Sequence, residues 1–190
     1  YFIRWEDIEK GAKIIRLNKP SDKKCLINEP DISQYQNLIK LRHDWQKPFL
    51  LDSVAKEIFF AVNIVFVEGQ EDMGMISRFI KENHIEINFD IFGYGSGGSG
   101  NIEHFLKIAK NLGLKAGCIF DNNKEVEYKR CEQYFPGFLI KKISRDDIRD
   151  KRQKQFYDGL FNENGEIKSE TARKELEDII TDFINHFNTQ

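Results

Sequence analysis

Two groups of acidic side chains stand directly where short apolar runs end. The first is Glu68-Gly69-Gln70-Glu71-Asp72, following Val67, and the second is Asp121-Asn122-Asn123, following Phe120. Short continuous apolar runs suit buried parallel strands. In a parallel sheet the side chains at the carboxyl ends of the strands share one crevice, and ligands bind there. Glu68 then stands at the crevice edge and Asp72 one turn into the next helix, with Gly69 allowing the sharp turn between them. Asp121 and Asn123 offer oxygen ligands of the hard kind that magnesium or manganese prefers. Each group also has a plainer reading. Glu71 and Asp72 in a first helical turn complement the helix dipole, and Asp121 with Asn123 can form an Asx turn ahead of the following helix.

Between the acidic groups lies Gly93-Tyr94-Gly95-Ser96-Gly97-Gly98-Ser99-Gly100. It contains G-x-G-x-x-G and so imitates a dinucleotide site. That fingerprint belongs to the first βα turn of its fold, however, and here an acidic strand end precedes it. The absence of Lys-Ser or Lys-Thr after the glycines excludes a P-loop. Two readings remain: the N–H groups of Gly95, Gly97 and Gly98 hold a DNA phosphate at a helix start, or the loop is a tight turn. Basic residues outnumber acids over 141–154. Lys141, Lys142, Arg149, Arg152 and Lys154 are the candidate DNA contacts, and Lys151 is placed to reach the same sheet edge. The alternative is a solvated helix face. His43, His84, His104 and His186 show no metal-ligand spacing, and no Ser-His-Asp arrangement emerges.

The elements that must position these groups follow from periodicity. Strands are expected at 61–67, 87–92, 116–120 and 138–143, alternating with helices at 72–83, 101–112 and 124–134. A last helix follows Ser169 as its cap, because Ala172, Leu176, Ile179, Ile180, Phe183, Ile184 and Phe187 recur at helical spacing. Phe59, Phe60 and Phe66 are core candidates. The pattern is that of an α/β fold with a central, mainly parallel four-stranded sheet flanked by helices. Residues 1–57 alternate short apolar stretches with polar turns and read as a linking subdomain ahead of a domain at 58–190.

Composition sets the outer bounds. With 190 residues, 40% of them hydrophobic and 13% aromatic, the chain can bury a core of ordinary size. Its 29 basic side chains against 31 acidic ones create no global field, so contact with DNA must come from a local patch. Cys25, Cys118 and Cys131 are odd in number and widely spaced, which fits neither a disulfide framework nor a zinc site. A reducing, cytoplasmic setting is the expectation, and the apolar runs fall far short of the roughly 20 residues a membrane span needs.

Taken in order, a strand ending in Glu-Gly with an acid four residues on, a glycine loop, and a strand ending in Asp-x-Asn resemble the TOPRIM domain shared by topoisomerases, bacterial primases and OLD-family nucleases. The likeness spans about residues 58 to 155. Phe66-Val67-Glu68-Gly69-Gln70-Glu71-Asp72, the Gly93 to Gly98 loop with Asn101-Ile102 after it, and Asp147-Ile148-Arg149-Asp150-Lys151 look like members of the OLD group. That resemblance implies a Rossmann-like TOPRIM fold and an ABC-type ATPase ahead of this chain, because Tyr1-Phe2-Ile3 is similar to the residues following that ATPase's final histidine motif. It implies that Glu68, Asp72 and Asp121 bind Mg2+ or Mn2+, and that Lys151 corresponds to the family's catalytic lysine. Asn123 stands where the family usually has a second acid, so the second of two ions would be held more weakly. The implied activity is two-metal cleavage of DNA by a homo-oligomeric ATPase-nuclease in defence against phage. The alternative is a catalytically degenerate module serving as a DNA-binding or assembly platform for the ATPase. Topoisomerase-like strand passage would need a nucleophilic tyrosine domain, and none is visible in the sequence.

Overall fold

The computed structural model describes residue 7 and residues 10–18, 25–29, 58–93, 98–151 and 158–189. Within 1–57 these include a two-stranded antiparallel ribbon, β1 (Arg16–Asn18) with β2 (Leu26–Asn28). From there the chain runs β3 (Asn63–Phe66), α1 (Gln70–Glu82), β4 (Asp90–Phe92), a 3-10 turn at Ser99–Asn101 and α2 (Ile102–Asn111). It continues through β5 (Lys115–Phe120), α3 (Glu125–Tyr134), β6 (Leu139–Lys142), β7 (Asp147–Arg149) and β8 (Gly159–Phe161) to α4 (Glu170–Asn188).

The central sheet has strand order β4-β3-β5-β6, and every pairing in it is parallel. The expected α/β architecture with a four-stranded parallel sheet is therefore the architecture found. The strand alternation explains why both faces are covered. Ile64 and Phe66 of β3 point into one core with Ala116, Cys118 and Phe120 of β5, where Phe105, Leu106 and Ile108 of α2 and Cys131 of α3 close over them. Val65 and Val67 point the other way, into a second core with Ile119, Ile76 and Phe79 of α1, and Leu176, Ile180 and Phe183 of α4. Period-2 side chains on strands and period-3.6 stripes on helices thus produce three layers. Phe66, Phe92 and Phe105 lock the first core with ring centroids 5.2 to 5.6 Å apart.

Helix α4 starts at Ser169, whose side chain accepts the Ala172 N–H at 3.1 Å, and buries Ala172, Leu176, Ile179, Ile180, Phe183 and Phe187. Three expectations need correction. Phe60 is 60% exposed, whereas Phe59 and Phe66 are buried, because Phe60 precedes β3 on the side turned away from the core. Strands β3 and β4 are shorter than their apolar runs, starting at Asn63 and Asp90. Over its described residues, 141–151, the basic stretch is not a solvated helix face, since Lys141 and Lys142 belong to β6 and 147–149 form β7, which pairs in parallel with β8; residues 152–154 lie outside the described residues. Among the described residues, no helix is long and apolar enough to cross a membrane.

Candidate functional site

Parallel register brings the acidic groups together. Phe66 of β3 lies opposite Cys118 of β5, so two residues further on Glu68 and the end of β5 emerge at the same level. The Glu68 Oε1 accepts the Asp121 backbone N–H at 3.2 Å. Asp72 reaches back from the first turn of α1, its Oδ2 accepting the Gly69 N–H at 2.8 Å. It therefore caps the helix and faces the crevice at once. Glycine is required nearby for space: a Cβ on Gly93 would lie 2.2 Å from the Gly69 carbonyl oxygen, so the end of β4 passes directly beneath the Glu68–Gly69 turn. Gly98 sits at φ +103, a backbone region disfavoured for side chains, and donates its N–H to the Glu68 carbonyl at 3.1 Å.

Glu68, Asp72, Gly98, Asp121, Asn123 and Lys151 all line one crevice of about 290 Å³, together with Gln70, Glu71, Lys124 and Asp147. Gly95 and Gly97 lie outside the described residues, as do Arg152 and Lys154. Lys141 and Lys142 belong to β6 and are paired with Asp182 and Glu125, on the sheet and not on the crevice wall. Arg149 on β7 pairs with Glu71, the same acid that Lys151 contacts at 2.9 Å. The basic run is thus interleaved with acids that neutralise much of it.

One residue that the sequence places only within the Asp147 to Lys151 motif, with no role in the site, proves central to the crevice. Asp147 opens β7, is only 5% exposed, and holds the Lys151 ammonium with both carboxylate oxygens, at 2.9 and 2.7 Å. The loop after β5 fixes it in place: Asn122 donates its backbone N–H to the Arg145 carbonyl at 2.9 Å, and the Asn123 Nδ2 donates to the Asp146 carbonyl at 2.7 Å. The available signal was the triplet Asp147-Ile148-Arg149, a polar-apolar-polar alternation of a short strand, hidden within a stretch that reads as a basic patch.

Burial dominates the electrostatics, and like charges add to it. Burial and then the neighbouring Glu68 charge push the Asp72 carboxyl up to about 7. Burial, followed by the charges of Glu68, Asp72 and Asp147, pushes Asp121 to about 8. Burial also raises Glu68, against the pull of the Asp121 N–H. For Lys151, burial opposes the charge, but hydrogen bonds to Asp147 and Glu71 outweigh it and leave the ammonium above its usual value. Acids that hinder each other's ionisation are relieved by a shared cation. The donor set is all oxygen, which suits a hard divalent ion. Among the described residues no three His, Cys, Asp or Glu side chains converge closely enough to form a ready-made metal cage, and several of these oxygens are occupied by N–H groups or by Lys151.

Residues 59–122 match the family model described as "Overcoming lysogenization defect protein-like, TOPRIM domain". The class that fold and crevice define is a Rossmann-like TOPRIM domain. Over those residues the chain carries a TOPRIM domain of OLD-like type; TOPRIM domains generally bind divalent metals, and this type suggests a nuclease or metal-binding function. No curated protein matches the chain.

Proposed function

We propose that this crevice hydrolyses phosphodiester bonds in DNA, with divalent ions held by Glu68, Asp72 and Asp121. The observation that carries the reading is the gathering of these three carboxylates on one crevice at the carboxyl edge of adjacent parallel strands, each raised first by burial, with the Glu68 charge adding to the rise of Asp72 and Asp121. When bound, Mg2+ or Mn2+ would lower the pKa of a water and steady the leaving oxygen. The Asp121 backbone N–H holds the Glu68 carboxylate in place at the crevice, which preorganises that ligand. Lys151 on the crevice rim supplies a positive charge for the transition-state phosphate. Lys124 on the same wall is a candidate contact for the DNA backbone, whereas the ion pairs of Lys141, Lys142 and Arg149 make them weaker candidates.

In this reading the domain is the cleaving half of a larger cytoplasmic ATPase-nuclease that assembles as a homo-oligomer and acts against phage DNA, residues 1–57 being the link to an ABC-type ATPase. A second reading, a DNA-binding or assembly platform without cleavage, is favoured by Asn123, whose side chain is spent on the Asp146 carbonyl. Incubation with supercoiled and linear DNA in Mg2+, in Mn2+ and with a chelator separates the two. Cleavage that requires the ion supports hydrolysis; DNA retention without cleavage in either metal supports the platform.

A further inference from the structure

Resting on the metal-dependent reading above, the geometry points to a further role: we propose that Asp147 is the acid that completes the carboxylate set left short by Asn123. Lys151 occupies Asp147 as a tethered counter-ion until a divalent cation takes its place.

The site that the sequence pattern leaves without a carboxylate is Asn123, and its amide is turned to another task. It fastens the loop after β5 to the Asp146 carbonyl at 2.7 Å, and that contact brings the next residue, Asp147, into the crevice from a different strand. Asp147 is almost fully buried, and an isolated carboxylate in such a place is costly unless paired. Its partner is Lys151 Nζ, at 2.9 and 2.7 Å from its two oxygens. The lysine side chain is 30% exposed, the aspartate side chain 7%. The cation therefore comes in from the solvent side on a flexible stem, while the acid is fixed beneath it.

That asymmetry makes the lysine replaceable. A divalent ion carries twice its charge and prefers oxygen donors, so it competes for Asp147 with an advantage the ammonium lacks. Glu71, the other partner of Lys151, keeps Arg149 when the lysine leaves, so the exchange strands no acid. The released ammonium stays tethered four residues from Asp147, at the crevice rim where a scissile phosphate would lie. Metal entry and the arming of Lys151 then become one event.

The test is calorimetric titration of the full chain with Mn2+ alone, for the wild type, Asp147→Asn, Lys151→Met and the double variant, with folding followed by circular dichroism. The expectation is that Asp147→Asn weakens Mn2+ affinity roughly tenfold or more, that Lys151→Met tightens it several-fold, and that the double variant is no tighter than Asp147→Asn. Affinity unchanged or increased in Asp147→Asn would reduce Asp147 to an anchor for the lysine and overturn the proposal. So would unchanged or weakened affinity in Lys151→Met, which stands even if Asp147→Asn folds poorly. Loss of binding in Glu68→Gln but not in Asp147→Asn would sink this inference alone, whereas a wild type that binds no Mn2+ would sink the metal-dependent reading as well.

Discussion

The Glu68 carboxylate accepts the backbone N–H of Asp121 at 3.2 Å, joining the ends of β3 and β5 through a side chain as well as through the strand ladder. Glu68→Gln preserves an oxygen acceptor but removes the charge. The expected outcome is a melting temperature within a few degrees of wild type with Mn2+ binding strongly reduced. Glu68→Ala should lose both, with a stability cost of about 1 kcal/mol for the unpaired N–H. Thermal unfolding beside metal titration reads the two effects apart.

Raised acids make stability fall with pH in the metal-free protein. Asp72 at about 7 and Asp121 at about 8 stand far above the ordinary carboxylate value of about 4. Between those limits the native state binds more protons than the unfolded chain, so stability declines as pH rises through the window and the penalty is complete above about 8. Mn2+ offsets that penalty. Its gain in melting temperature should therefore be larger near pH 8 than near pH 5; equal gains at both would contradict the electrostatic account of the crevice.

Asn123→Asp has two opposing effects. It adds a carboxylate to a hard-cation site, and it removes the amide that donates to the Asp146 carbonyl, setting like-signed oxygens against each other. The variant should be less stable than wild type without metal and should bind Mn2+ more tightly, so that melting curves converge as Mn2+ is added. Calorimetry showing unchanged affinity would mean that this position faces no ion.

Gly93→Ala probes the scaffold. Its new Cβ would lie 2.2 Å from the Gly69 carbonyl oxygen and 2.8 Å from both Val67 and Met73. Overpacking of this kind costs about 1 to 3 kcal/mol, and backbone rather than a yielding side chain is the nearest obstacle. Denaturant unfolding should show a lowered midpoint, and metal affinity should fall with it because the Glu68–Gly69 turn must shift.

The sheet was legible because its strands are buried on both faces and so read as apolar runs, and α4 because its stripe spans many turns behind a serine cap. Glu68 and Asp121 were legible for the same reason: each is the first charge after such a run. Asp147 was not. Its strand is three residues long and pairs with β8, which lies beyond an intervening segment, so no local periodicity announces it. The partners of Lys141, Lys142 and Arg149 were equally hidden, since Asp182, Glu125 and Glu71 are brought to them only by tertiary packing. A count of basic residues along the chain cannot reveal which charges are already neutralised.

Single-turnover cleavage of supercoiled DNA in Mn2+, comparing the wild type with Asp121→Asn, tests the hydrolytic reading most directly. Asp121 directly follows β5 and gives its backbone N–H to Glu68, and its carboxyl is raised by burial and then by the charges of Glu68, Asp72 and Asp147. The expected result is metal-dependent nicking by the wild type that is abolished by chelation and slowed on the order of a hundredfold or more in Asp121→Asn, as loss of a preorganised charged group commonly brings. Equal rates for the two proteins, or cleavage that survives chelation, would contradict the assignment of this crevice as the hydrolytic site.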